Sequence, residues 1–236
     1  MSLRESISIV IPAFNEEKRI APTLRRIHEY MKEKGAEFEI IVVDDGSSDD
    51  TVGIVRRESG MLKGLRLLLN ESNRGKGFSV RHGVLSASCS LVLISDADLS
   101  TPIEEVAKFV PWIRNGYDIV IGSRALKESD IVKKQPWYRQ SMGKVFNAMV
   151  KTLVFGGFED TQCGFKLFTS GSGKRIFNMA RIDGFAFDVE ALFLARRMGF
   201  RIKEVPVKWM NSPQSRVRII KDSFRMLLDL LRIRFS

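Results

Sequence analysis

The chain is poor in the residues that build thiol or imidazole metal centres. Cys89 and Cys163 are its only cysteines, and His28 and His82 its only histidines. A structural zinc site draws its ligands from such residues in closely spaced sets, so none is expected. Two cysteines far apart in sequence read as reduced packing thiols of a cytosolic protein. No apolar run reaches the roughly 18 residues that would span a bilayer. The start, Met1-Ser2-Leu3-Arg4-Glu5, has no apolar secretory core, so no signal peptide is expected. Internal repeats and low-complexity segments are missing. There is no Gly-x-x-x-x-Gly-Lys-Ser/Thr loop. There is also no RNA-recognition aromatic motif, helix-turn-helix or zinc finger, and nucleic acid is not an expected partner.

Acids are also in deficit: 28 Asp and Glu against 38 Lys and Arg give a formal charge of +10. Part of the excess lies near the end, in Arg216, Arg218, Lys221, Arg225, Arg232 and Arg234. A basic surface attracts nucleic acid, anionic membranes or phosphorylated substrates, and composition does not choose among them. With 44% hydrophobic and 28% charged residues in 236, the chain suits one soluble domain with a sizeable core.

Apolar runs at Ser8–Ile11, Phe38–Val43, Leu65–Leu69, Leu91–Ser95 and Asp118–Gly122 read as strands. Helical spacing lies between them over Glu16–Met31, from about Asp50, and over Gly75–Ser86. Thr101-Pro102-Ile103-Glu104 combines an N-cap, a first-turn proline and a capping-box glutamate. This alternation predicts a parallel, doubly wound sheet over the first 120 or so residues. Further on, helices are expected over Arg139–Phe155 and Asp188–Met198. A strand is expected over Gly164–Phe168, and an extended pair over Arg201–Met210 broken by Pro206. No linker separates the halves. The expected organisation is a single domain with parts at 1–122 and 123–214 and a basic amphipathic helix at 215–236.

The stretch Ser95-Asp96-Ala97-Asp98 leaves an apolar strand with two carboxylates two residues apart. Ligands of open α/β sheets bind outside the carboxyl ends of strands. Hard oxygen ligands there suit Mg²⁺ or Mn²⁺ holding a diphosphate. Asp44 and Asp45 end another strand, where they serve either as turn formers and caps or as acceptors for a base edge or ribose hydroxyls. Asn73-Arg74-Gly75-Lys76-Gly77 is glycine-rich and basic, fit either for an anion or for a plain helix-start turn.

Together, Ile9-Val10-Ile11-Pro12-Ala13-Phe14-Asn15-Glu16, Val42-Val43-Asp44-Asp45-Gly46-Ser47-Ser48-Asp49 and Asp96-Ala97-Asp98 resemble family 2 glycosyltransferases of the GT-A fold. Gly122-Ser123-Arg124 and Asp160-Thr161-Gln162-Cys163-Gly164-Phe165-Lys166 extend the likeness to polyprenyl-phosphate sugar synthases. The wording is nearest the dolichyl-phosphate β-glucosyltransferases, with the mannose synthases as near relatives. The resemblance implies a Rossmann-like α/β fold with a mixed, mostly parallel central sheet flanked by helices. It implies a metal-dependent, inverting transfer of a hexose, glucose from UDP-glucose first, to a polyprenyl or dolichyl phosphate. GDP-mannose as donor, or a glycan hydroxyl as acceptor, is the alternative.

By the same resemblance, Pro12, Phe14, Glu16, Asp44, Asp45, Lys76 and Ala97 surround the nucleotide sugar. Asp96 and Asp98 meet the metal and diphosphate, Asp98 with a catalytic role. Arg124 and Arg139 hold the acceptor phosphate, with Asp160 and Gln162 beside them. Mannose synthases often carry a glutamine where this chain has Ser100, which weakens the mannose alternative. A lipid monophosphate, with a second pKa of about 6, attacks without a general base. A hydroxyl acceptor needs one, and Asp160 or Asp188 would be it, although Asp188 also suits a helix cap.

A lipid acceptor also places the protein peripherally at the cytoplasmic face of a membrane, alone, with a membrane-protein partner or as a homo-oligomer. Trp137-Tyr138-Arg139 with Phe146, Met149, Val150, Leu153, Val154 and Phe155 is one candidate contact. Ile219, Ile220, Phe224, Leu227, Leu228, Leu231 and Phe235 among arginines are another. A helix packed on the core with a solvated basic face fits the second run equally.

Overall fold

Runs of Ile, Val and Leu without polar alternation form strands buried on both faces. β1 (Ile7–Ala13), β2 (Phe38–Asp44), β4 (Leu91–Ile94) and β5 (Ile119–Ser123) are of this kind, whereas β3 (Leu65–Leu69), at the sheet edge, is only partly buried. The computed structural model describes residues 5–133, 136–211 and 219–235, and the side chains of 137–139 and 219–224 lie outside that description. α1 (Ile20–Glu33), α2 (Thr51–Ser59), α3 (Lys76–Leu85) and α4 (Val106–Arg114) fill the early crossovers. β6 (Asp130–Lys133), α5 (Trp137–Leu153), β7 (Lys166–Thr169), α6 (Ser170–Met179), α7 (Phe187–Arg197), β8 (Ile202–Pro206), β9 (Lys208–Met210) and α8 (Ile219–Arg234) follow.

The main sheet has seven strands in the order β3-β2-β1-β4-β7-β5-β8. All run parallel except β7, which pairs antiparallel with both β4 and β5. Successive strand residues face opposite sides, and this splits the core. Ile9, Ile11, Ile40 and Val42 pack under α1 and α4, whereas Val10, Ile41 and Val43 pack under α3 and α7. Beyond Pro206 the chain leaves this sheet, and β9 pairs with β6 in a separate two-stranded ribbon.

Several boundaries differ from expectation for local reasons. α1 starts at Ile20 and not at Glu16, because Asn15 turns the chain at φ 55° and residues 17–19 form a turn. The capping box at Thr101–Glu104 does not form. Pro102 precedes a single 3₁₀ turn (Ile103–Glu105) without side-chain capping, and Glu104 pairs with Arg26. Asp188 is not a cap either: α7 follows Ala186, and the aspartate is already inside it.

α8 presses Met226, Leu230 and Ile233 into the core beside α5 and α7, while Leu228, Leu231 and Phe235 stay outside with Arg225, Arg232 and Arg234. The expected contributions of Ile219, Ile220, Phe224, Trp137 and Tyr138 lie outside the described residues. No helix among the described residues is long and apolar enough to cross a membrane.

Candidate functional site

Strand direction gathers the motifs on one edge. β1 is flanked by β2 and β4, both parallel to it, and the chain reverses its order of strand addition between β1 and β4. Such a switch point opens a crevice at the strand ends. β4 stops at Ile94, opposite Val10, so the Asp-Ala-Asp turn lies alongside the last residues of β1. Ser95 N donates to Val10 O (3.0 Å), and Asp45 N donates to Ala13 O (2.8 Å). The ends of β5 and β8 reach the same edge, as does the start of the reversed β7.

Both acids of the turn face cations. Lys76 Nζ donates to Asp96 Oδ1 at 2.6 Å. Arg19 reaches Asp98 Oδ2 at 3.5 Å while its guanidinium also grips Glu16, with Nε and Nη2 each 2.6 Å from a carboxylate oxygen. Burial alone would push the Asp96 carboxyl up, but Lys76, with help from Lys166 and Arg124, brings it below the usual carboxylate range. Asp98 Oδ1 accepts from Ser100 N (2.9 Å), and Thr23 Oγ1 donates to Ala97 O (2.7 Å). Leu99 turns the backbone at φ 46°. Lys18, Arg19, Pro22, Thr23, Asp98 and Leu99 line an open cleft of about 280 Å³ here.

Two carboxylates that both draw positive charge fit a divalent ion of the Mg²⁺ type. Such an ion is commonly held by one or two carboxylates, with substrate phosphates and water completing its shell. Among the described residues no group of three or more His, Cys, Asp or Glu forms a protein cage. Asp96 and Asp98 are the pair at this edge whose chemistry fits a share in such a shell.

Asp44 and Asp45 divide their work. Asp44 Oδ2 accepts from Gly46 N (3.1 Å) and Ser47 N (3.0 Å), an Asx turn, while its buried Oδ1 has no hydrogen-bond partner. A buried oxygen without a donor is costly, so this acceptor of Asp44 is left unsatisfied in the structure. Asp45 takes Asn70 Nδ2 and Arg74 N on one oxygen and Gly75 N on the other. It thus fixes the glycine-rich loop that delivers Lys76. Pro12 and Phe14 are half-buried at the tip of β1, and Glu16 is buried, its N–H donating to Thr51 Oγ1 (2.8 Å).

Arg124 and Asp160 are brought together. Arg124 Nε and Nη2 meet the two carboxylate oxygens at 2.6 and 2.9 Å, and its backbone N donates to Oδ2 (3.0 Å). Burial pushes the Asp160 carboxyl up, yet the guanidinium prevails and holds it at about 2. Gln162 N donates to Asp160 Oδ1 (3.1 Å), so the 160–162 turn is organised by the same carboxylate. Asp188 is buried and accepts from Lys166 Nζ at 2.5 Å, with Lys166 also donating to Cys163 O. Arg139 begins α5, but its side chain lies outside the described residues.

Sequence reading missed Arg19 and Gly164. Arg19 looks like one more surface helix residue, and only the fold carries it to Asp98. Gly164 does carry a signal, since it follows Cys163 just before a strand. A Cβ on it would fall directly on the Asp96 carboxylate. Gly164→Ala is expected to displace that carboxylate and lower turnover about 10²-fold, the scale of a 1 Å misplacement. Steady-state rates beside a thermal melt check this: an unchanged rate in a folded variant would show that Asp96 tolerates the shift.

Comparison with known proteins gives the following. A family model described as glycosyl transferase family 2 matches residues 8–176. The dolichyl-phosphate beta-glucosyltransferase of Dictyostelium discoideum is 36% identical over 241 residues, covering 97% of this chain and 74% of that protein. The Homo sapiens protein of the same description is 33% identical over 245 residues, covering 98% and 75%. Among solved structures, glucosyl-3-phosphoglycerate synthase of Mycobacterium tuberculosis superposes with a TM-score of 0.69 at 19% identity, covering 98% of this chain and 80% of that one. Its structure was determined with Mn²⁺, UDP and glucosyl-3-phosphoglycerate. The mixed, mostly parallel sheet with flanking helices is the fold of these GT-A glycosyltransferases.

Proposed function

The chain belongs to glycosyl transferase family 2, and on that basis we propose that it transfers glucose from a nucleoside diphosphate sugar, UDP-glucose first, to the phosphate of a polyprenyl lipid such as dolichyl phosphate. The relatives' descriptions favour this acceptor. The observation that carries it from within the chain is the state of the two carboxylates that the sequence singles out as candidate bases. Asp160 is clamped by Arg124, and Asp188 is buried against Lys166. A hydroxyl acceptor needs a free base within hydrogen-bond reach. A phosphate monoester, largely dianionic at neutral pH, needs only orientation and charge.

In this reading a phosphate oxygen attacks the anomeric carbon as the bond to the diphosphate oxygen breaks on the opposite face, inverting the centre. No proton has to move. Arg124 orients the incoming phosphate with the part of its guanidinium that Asp160 leaves free, Nη1 and the outer side of Nη2, and it keeps its charge. Arg139, on the first turn of α5, is proposed to share that task. Pro12, Phe14, Glu16, Asp44, Asp45 and Ala97 form the nucleotide-sugar pocket, and Lys76 lies on the diphosphate side. Asp160 and Gln162 shape the acceptor turn. A divalent ion held by Asp96 and Asp98 would neutralise charge on the departing diphosphate. The lipid tail keeps the protein peripheral at the cytoplasmic face of a membrane, where Leu228, Leu231 and Phe235 of α8, flanked by arginines, suit the interface.

The test is direct. The protein is incubated with Mn²⁺ or Mg²⁺, a panel of sugar nucleotides and a short polyprenyl phosphate, and products are identified by mass. A glucosyl phospholipid formed from UDP-glucose is expected. Transfer only to glycan hydroxyls, with the lipid phosphate untouched, would overturn the reading.

A further inference from the structure

The lysine beside Asp96 is held there from several directions. Asp45 accepts from Arg74 N (2.9 Å) and Gly75 N (2.8 Å) on one side of its loop. On the other side, the Asp183 carbonyl accepts from Gly77 N (2.8 Å) and Phe78 N (3.2 Å). Any side chain on Gly75 or Gly77 would collide with the Asp183 or Ile182 carbonyl, so the backbone sits as close to the 182–184 loop as glycine permits. Asp96 is fixed as well, because its carboxylate lies in the space that Gly164 leaves open. A lysine–carboxylate contact at 2.6 Å between two braced partners is a feature of the site's construction.

Its placement has a consequence for loading. Asp96, Asp98 and Asp188 all act on the Lys76 charge, and Asp188 is itself paired with Lys166. Carboxylates gathered around one cation repel one another and repel a diphosphate. Resting on the function proposed above, we infer that Lys76 is the resident counter-cation of the donor site: its ammonium holds Asp96 in the empty protein, yields that carboxylate to the divalent ion, and then faces the donor's diphosphate.

Metal binding is thus an exchange. Without nucleotide the ion must displace a charge-assisted hydrogen bond and leave an ammonium nearby, which weakens it. With a diphosphate present the displaced ammonium gains a new partner. Metal and nucleotide then strengthen each other's binding by a common factor, as linkage requires.

The test is a Mn²⁺ titration followed by electron paramagnetic resonance on the whole chain, with and without UDP, and needs no turnover. In the wild type, Mn²⁺ alone is expected to bind weakly and to tighten on adding UDP. Lys76→Met should bind Mn²⁺ alone about tenfold more tightly and lose most of the tightening by UDP, within the usual range of coupling factors. Lys76→Arg, which keeps the cation, should stay near the wild type. Lys76→Gln repeats the Met experiment should that variant melt early. If removing the ammonium leaves Mn²⁺ affinity and its coupling to UDP unchanged while Asp98→Asn abolishes binding, the inference about Lys76 is wrong and the metal site stands. If Asp98→Asn is also without effect, the metal site falls with it, and the product assay still decides the transfer reaction separately.

Discussion

Asp98→Asn is expected to cut glycosyl transfer by about 10³-fold while leaving the melting temperature nearly unchanged, a loss of the size seen when one preorganised charge-stabilising group is removed. The fold has little at stake. In the structure Asp98 accepts one backbone hydrogen bond, from Ser100 N, and meets Arg19 only at 3.5 Å. Asparagine keeps an oxygen for Ser100. Under the proposed function the reaction has much at stake, because diphosphate charge grows as the bond to the sugar breaks, and Asp98 would supply half of the protein's share of the cation shell. Initial rates against Mn²⁺ concentration, set beside a melting curve, decide the matter. Turnover within a few-fold of the wild type at saturating Mn²⁺ would remove Asp98 from the chemistry.

Arg124→Lys is expected to raise the KM for lipid phosphate tenfold or more, on the order of 1.4 kcal/mol, with UDP binding unaffected. Lysine keeps the charge but not the two-pronged geometry that suits phosphate and carboxylate alike. Alanine is the poorer probe. It would leave the buried Asp160 without its main partner, and breaking a buried pair costs about 3–5 kcal/mol. Arg124 is 30% exposed, so the lower end applies. The acid behaviour of the pair follows from sign. The folded Asp160 carboxyl sits at about 2, below the roughly 3.9 of an unfolded aspartate. Its stabilisation is therefore complete above pH 4 and is lost as pH falls from there through 2. At neutral pH the pair is intact, and kinetic comparison of arginine with lysine reports on the acceptor. Equal losses in UDP affinity and lipid KM would count against that assignment.

Much of the sheet could be read in advance because its strands announce themselves. Ile9 to Ile11, Ile40 to Val43 and Leu91 to Ile94 are short apolar runs ended by turn residues, and period and length suffice for such segments. What escaped was set by distant partners. Nothing in Lys166-Leu167-Phe168-Thr169 reveals that it runs against its neighbours. α6, Ser170-Gly171-Ser172-Gly173 at its start, looks like a loop, and becomes a helix through the Thr169 side chain, which accepts from Ser172 N, and through burial of Ile176 and Phe177. Exposed β6 carries no strong pattern of its own and depends on β9. The site divides the same way. Asp96 and Asp98 were visible as a pair at a strand end, and so was the basic glycine loop. The pairing of Asp160 with Arg124, of Asp188 with Lys166 and of Arg19 with Asp98 spans 36, 22 and 79 residues, and no local spacing encodes it.

The backward strand β7 also governs when the molecule can be completed during synthesis. Its two neighbours, β4 and β5, are both made earlier, so each presents an unpaired edge as the chain leaves the ribosome. Until Lys166–Thr169 emerge β4 is an open sheet edge, and β5 has no strand partner, since β7 and β8 both follow it in the chain. Exposed edges invite wrong partners. Joining β5 to the first four strands of the sheet thus depends on a four-residue strand from well downstream.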